Sequence, residues 1–141
     1  MNAAQPYLLD TNIASYITTG RSLAARNALK SASADRVVLI SSLTEAELLF
    51  GLEMKPHATR LRRSILEFLQ PLEIRGWDSA AALAYSRLRA QLQSSGKALA
   101  NMDLLIASHA IALGAVLVTH DRALHNLSQQ LTVEDWATDM Q

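Results

Sequence analysis

The 141-residue chain has no cysteine, three prolines, five glycines and only 5% aromatic residues, and its thirteen Lys and Arg cancel its thirteen Asp and Glu. Without cysteine there is no disulfide, no thiolate nucleophile and no cysteine-type zinc centre, so metal binding falls to carboxylates and the four histidines. A formal charge of zero and a pI near 6.9 supply no global field toward polyanions or acidic lipid. Any such contact has to come from a local patch. Pro6, Pro56 and Pro71 are scattered rather than gathered in a linker, and no repeat or low-complexity tract interrupts the chain. Residues 1–141 are therefore expected to form one domain.

A long hydrophobic run is missing too. The most apolar stretch, residues 104–118, falls short of the roughly 18 to 20 residues of a bilayer span and carries Ser108, His109 and Gly114. The first twenty residues hold no Lys or Arg, and Asp10 breaks their one apolar cluster. No cleaved leader and no membrane contact are expected, and the cytoplasm is the expected location.

What is present is alternation. Short β-type runs at residues 7–9, 37–40, 72–74, 116–118 and 131–133 are separated by stretches of helical period at 23–30, 45–54, 58–69, 79–93 and 104–113. Gly114 follows the last of these where a left-handed residue ends a helix. Such alternation predicts an α/β fold, with helices packed on a central parallel sheet.

In a parallel sheet every strand ends on one edge, and the helix leading into a parallel strand begins at that edge. Asp10 ends the first strand, Asp121 follows the fourth, and Asp103 opens the helix before it. These three acids are expected to converge. A fourth comes from Ser42-Leu43-Thr44-Glu45-Ala46-Glu47-Leu48, where spacing leaves Glu45 and Glu47 both open. Glu47 is favoured by its place four residues ahead of Gly51. Carboxylates held this close repel one another, and a hard divalent cation relieves the repulsion. Oxygen-only donors suit Mg²⁺ or Mn²⁺ better than Zn²⁺. Water activated beside a polarised phosphate is the chemistry of nucleases and phosphatases.

Simpler roles compete for the same residues. Asp, Ser and Thr ahead of helices are common N-caps, and Thr44 to Glu47 and Ser42 with Glu45 both fit capping boxes. Four acids on one edge exceed what capping requires. His120-Asp121 superficially matches a metal phosphohydrolase dipeptide, but His57, His109 and His125 stand in no matching arrangement. His109, on an apolar helix, reads as a hydrogen-bonded core residue. There is no Gly-rich phosphate loop and no Ser, His and Asp constellation. Lys55, Arg60, Arg62 and Arg63 gather in and before one helix, and Arg87 and Arg89 lie on another. A solvated helix face explains such residues, and contact with RNA phosphates is the sharper reading.

Leu8-Leu9-Asp10-Thr11-Asn12, Thr44-Glu45-Ala46-Glu47-Leu48-Leu49-Phe50-Gly51, Asn101-Met102-Asp103-Leu104 and Leu117-Val118-Thr119-His120-Asp121 together resemble the PIN-domain ribonucleases in order and spacing. More narrowly, they are similar to the VapC toxins of bacterial toxin–antitoxin modules. The resemblance covers essentially the whole chain. It implies an α/β/α sandwich and an Mg²⁺- or Mn²⁺-dependent endoribonuclease whose products carry 5′-phosphate and 3′-hydroxyl ends. Carried over residue by residue, it makes Asp10, Glu47, Asp103 and Asp121 the catalytic acids. Asp10 and Asp103 would hold the metal, with Glu47 and Asp121 reaching it directly or through water. Asn12 and Thr119 fall at supporting positions, and Glu47 is chosen over Glu45. The resemblance also implies a VapB-type antitoxin, a homodimer, a toxin–antitoxin hetero-oligomer, and operator DNA bound through the antitoxin alone. His120 departs from the family, which commonly has Asn there; in an extended segment it would face away from Asp121.

A non-catalytic, receiver-like or interaction-only metal-binding domain is the alternative from another class. A receiver wants a second acid beside Asp10 and a late lysine, whereas no acid adjoins Asp10 and Lys97 is the last lysine. A catalytically silent PIN-like scaffold would bind metal without cutting RNA.

Overall fold

The computed structural model describes residues 4–141. Five strands, β1 (Tyr7–Leu9), β2 (Val38–Ser41), β3 (Glu73–Arg75), β4 (Val116–Val118) and β5 (Val133–Glu134), form one sheet in the order β3-β2-β1-β4-β5. Every pairing is parallel. The helices are α1 (Thr11–Thr19), α2 (Leu23–Asp35), α3 (Ser42–Glu53), α4 (Thr59–Leu69), α5 (Ser79–Ser94), α6 (Asn101–Leu113) and the short α7 (Arg122–His125).

Apart from Ser41 at the end of β2, the central strands are dominated by apolar residues because both of their faces are covered. On one face Leu8, Leu39 and Leu117 pack with Leu88 and Leu92 of α5 and with Leu104 and Ala107 of α6. On the other, Leu9, Ile40 and Val118 meet Ile13 of α1, Leu48 and Leu52 of α3, and Ile65 and Phe68 of α4. The result is a three-layer α/β/α sandwich. Burying each such Leu or Ile contributes about 1.5–3 kcal/mol, so the sheet centre is firmly held.

All five predicted strands are present, with small shifts of register. Val37 stays outside β2 and is half exposed, and β3 is an exposed edge strand. Two helices, α1 and α7, lie outside the stretches of helical period. Thr11–Thr19 is rich in Thr and Ile, which are indifferent helix formers, and its ends hold it: Asp10 caps the start and Gly20, at φ 75°, closes it. The helix α7 is only one turn, capped by Asp121. Both α3 and α6 begin three residues earlier than their periodicity suggests, at Ser42 and Asn101. Ser41, rather than Ser42 or Thr44, caps α3 by accepting from the Leu43 N–H at 3.1 Å. As expected, Gly114 takes the left-handed conformation, at φ 61°, and turns α6 into β4.

The strand order places β1 at the centre, with β2 and β3 to one side and β4 and β5 to the other. The connections therefore reverse direction between β1 and β4. A crevice opens at the carboxyl ends of strands at such a switch point.

Candidate active site

Parallel register builds the crevice. Leu9 pairs with both Ile40 and Val118, so the next residues, Asp10, Ser41 and Thr119, stand level at the carboxyl edge. Asp10 is fixed from two directions. Its N–H donates to the Val118 carbonyl at 3.0 Å, and its carboxyl accepts from the Ile13 N–H at 2.8 Å. The same carboxyl is hydrogen-bonded by the Thr119 hydroxyl. Asp10 is 5% exposed and Thr119 fully buried.

Thr119 also organises the fourth motif. Its hydroxyl accepts from the Asp121 N–H at 3.0 Å, and Asp121 in turn caps α7 by accepting from the Ala123 N–H at 2.8 Å. The His125 ring donates to the Thr119 carbonyl at 2.7 Å. Sequence reasoning missed this role, although His125 lies four residues beyond Asp121, one helical turn away. Asp103, in the first turn of α6, faces Asp121, whose carboxylate adds to the rise in the Asp103 pKa.

Burial pushes the Asp10 carboxyl up to about 6, and the charges of Asp103 and Asp121 add to the rise against the Thr119 and Ile13 hydrogen bonds. Burial also raises Asp103, and the Asp121 carboxyl raises it further. No Lys or Arg forms an ion pair with any of the three. Among the described residues, the ion pairs are Arg75 with Glu73 and His120 with Asp135.

The remaining candidates are placed differently. Glu47 is exposed on α3, one turn beyond the buried Thr44, whose hydroxyl lies 3.2 Å from that of Thr11 beside Asp10. Glu45 is half-buried in the first turn. Asn12 is exposed in the first turn of α1. His120 bonds Asp135 at 2.8 Å and the Gln141 carbonyl at 3.2 Å, and the Asp135 contact, followed by that carbonyl, raises its pKa. His109 is buried, with its pKa lowered chiefly by that burial, and meets the Ser41 hydroxyl at 2.9 Å.

Among the described residues, no three acid or histidine side chains close on a single point as a ready-made metal cage. The donor chemistry nonetheless fits a hard cation. Asp10, Asp103 and Asp121 offer oxygen alone, Asp10 and Asp103 resist ionisation, and among the described residues no Lys or Arg is paired with any of the three. A divalent ion would reverse that opposition, favouring the ionised carboxylates.

Comparison with known proteins identifies the family. A family model described as the PIN domain matches residues 7–129. Ribonuclease VapC2 of Rickettsia felis is 34% identical over 130 residues, which span 92% of this chain and 97% of that protein. The tRNA(fMet)-specific endonuclease VapC of Shigella flexneri is 28% identical over 131 residues, spanning 93% of this chain and 98% of that protein. The structure superposes, at a TM-score of 0.84 and 32% identity, on a chain of VapBC2 from Rickettsia felis bound to a DNA fragment from their promoter, covering 94% of this chain and 99% of that one.

Proposed function

Because the chain belongs to the PIN-domain family and, within it, to the VapC ribonucleases, we propose that it is the toxin of a toxin–antitoxin pair, a divalent-metal-dependent endoribonuclease. One observation supports the chemistry: Asp10, Asp103 and Asp121 stand on the carboxyl edge at the sheet's switch point, where burial, and then the neighbouring acids, oppose ionisation of Asp10 and Asp103.

Asp10 and Asp103 would hold Mg²⁺ or Mn²⁺, with Asp121 and Glu47 acting directly or through water. When bound, such an ion lowers the pKa of a water and takes up charge developing on the phosphate. The water oxygen bonds to phosphorus, the bond from phosphorus to O3′ breaks, and O3′ takes up a proton. The chain's own part is preorganisation. The Thr119 hydroxyl and the Ile13 N–H fix the Asp10 carboxyl, and the turn through Thr119 sets Asp121 opposite Asp103.

The partner in this reading is a VapB-type antitoxin, with operator DNA bound through it. VapBC complexes among the structural neighbours, one of them on promoter DNA, support it. A homodimer and a cytoplasmic location belong to the same proposal; among the described residues no helix is long and apolar enough to cross a membrane. Relatives named for tRNA(fMet) make that tRNA the first substrate to try.

The test is cleavage of RNA by purified protein with and without a chelator, beside Asp10→Asn and Asp103→Ala. Cleavage that survives both substitutions at the parent rate would refute the assignment. Expression tolerated equally with and without the antitoxin would refute the toxin role.

A further inference from the structure

From the start of α6, two residues beyond Asp103, a ladder of two aromatic rings and an arginine runs onto α5. Trp77 roots it. Its backbone N–H donates to the Ser42 hydroxyl at 3.3 Å, and its indole N–H donates to the Leu105 carbonyl at 3.0 Å. Ser42 opens α3 and Leu105 lies two residues beyond Asp103, so Trp77 bridges the first turns of the helices that carry Glu47 and Asp103. The Tyr85 ring stands edge-on to Trp77, with centroids 6.2 Å apart. Arg89, one turn further along α5 on the same face, donates to the Tyr85 hydroxyl at 3.0 Å and lies 5.9 Å from its ring centroid.

This arginine is held in place without an acid. Arg89 is exposed, yet among the described residues it makes no ion pair with Asp or Glu. Fixing a long, rotamer-rich side chain costs entropy, and a neutral phenol returns little for it. Because the Tyr85 oxygen accepts from Arg89, its own hydrogen stays free to donate. The pair presents the unused guanidinium N–H groups and a phenolic O–H together. That donor array matches the non-bridging oxygens of a phosphodiester.

We propose that Arg89 and Tyr85, steadied by Trp77, bind a backbone phosphate of the RNA flanking the scissile bond and so set the strand's course across the carboxylates. This inference rests on the RNA-cleaving reading of the site. It gives the neutral chain a local cation for a polyanion, on α5 and linked through Tyr85 and Trp77 to the helix that carries Asp103. Arg87, two residues earlier, turns to another face, toward Ile111, and takes no part.

The experiment measures binding apart from chemistry. Fluorescence anisotropy of a labelled 20-nucleotide single-stranded RNA is followed with the full chain carrying Asp103→Asn, in EDTA, from 50 to 200 mM KCl. Adding Arg89→Ala should weaken binding about fivefold to tenfold and flatten the salt dependence by about 0.7 in log–log slope, the loss of one single-strand phosphate contact. Arg89→Lys should restore the slope but only part of the affinity. Tyr85→Phe, which deletes a donor and no charge, should weaken binding about twofold to threefold at unchanged slope. Arg87→Ala should change neither. If Arg89→Ala and Arg87→Ala act equally, or Arg89→Ala leaves slope and affinity intact, the phosphate site is wrong while the RNA reading stands. An Arg89→Ala protein that keeps RNA but loses its antitoxin assigns the arginine to a protein carboxylate and overturns the proposal. Absence of RNA binding by the parent background overturns the RNA reading itself, and this inference with it.

Discussion

Beyond the effect of burial, Asp121 raises the pKa of Asp103 from a separate element, with no Lys or Arg paired to either among the described residues. A fold that sought only stability would not place them so, because like charges at that range oppose ionisation. Replacing Asp103 by Asn removes the repulsion and keeps the shape. The metal-free Asp103→Asn protein is expected to melt higher than the parent at pH 8 and to cut no RNA. Paired thermal melts and cleavage assays check this, and a lower melting point would contradict it.

The buried Asp10 gives a pH prediction with a definite sign. Its pKa is raised in the fold, from 3.8 to about 6, so the folded state holds the proton more tightly than the unfolded state. The stability this contributes is complete below about pH 4 and is lost as pH rises through about 6, amounting to about 3 kcal/mol. Urea midpoints of the metal-free protein from pH 4 to 8 should fall relative to those of Asp10→Asn, which keeps the cap without the charge. Saturating Mn²⁺ should restore the parent's midpoint at pH 8, since a ligand of the folded state stabilises it.

Thr119 links Asp10 to Asp121, so its hydroxyl should matter more than its size. Thr119→Val keeps the buried volume but leaves the Asp121 N–H unpaired and removes the hydrogen bond to Asp10. A loss of about 1–3 kcal/mol in stability is expected, together with about a tenfold weaker metal response. Thr119→Ser should recover most of both, and denaturant unfolding with Mn²⁺ titration measures them.

Gly114 offers a control away from the chemistry. It sits at φ 61° with nothing within 4 Å of an added Cβ, so Ala there meets backbone strain without a clash. Gly114→Ala should cost about 1–2 kcal/mol and leave the cleavage rate unchanged at temperatures where the protein stays folded. Loss of activity in a folded Gly114→Ala protein would show that α6 transmits strain to Asp103.

The positions of Asp10, Asp103 and Asp121 were legible because each follows from a strand end or a helix start, and parallel topology sends all of those to one edge. Strand order was not legible, since nothing local to Tyr7 or Val116 states that β1 pairs with both β2 and β4. Helix α1 escaped because its Thr and Ile content speaks against a helix, and the signal lay in its caps, Asp10 and Gly20. Glu47 and Glu45 could not be separated by period, and in the structure both stand outside the buried row of Thr44, Leu48 and Leu52. The ladder from Trp77 through Tyr85 to Arg89 was half visible: Tyr85 and Arg89 are one turn apart, but Trp77 joins them only through the crossing from β3 into α5.

Whether these carboxylates cut RNA with a divalent ion is read out by end-mapping of the cleaved RNA. Purified protein is incubated with tRNA in Mg²⁺ or Mn²⁺, with excess EDTA, and as the Asp10→Asn variant. Fragments with 5′-phosphate and 3′-hydroxyl ends are expected from the parent with metal, and intact RNA in the other two arms. Equal cleavage in EDTA, or by Asp10→Asn at the parent rate, would contradict it.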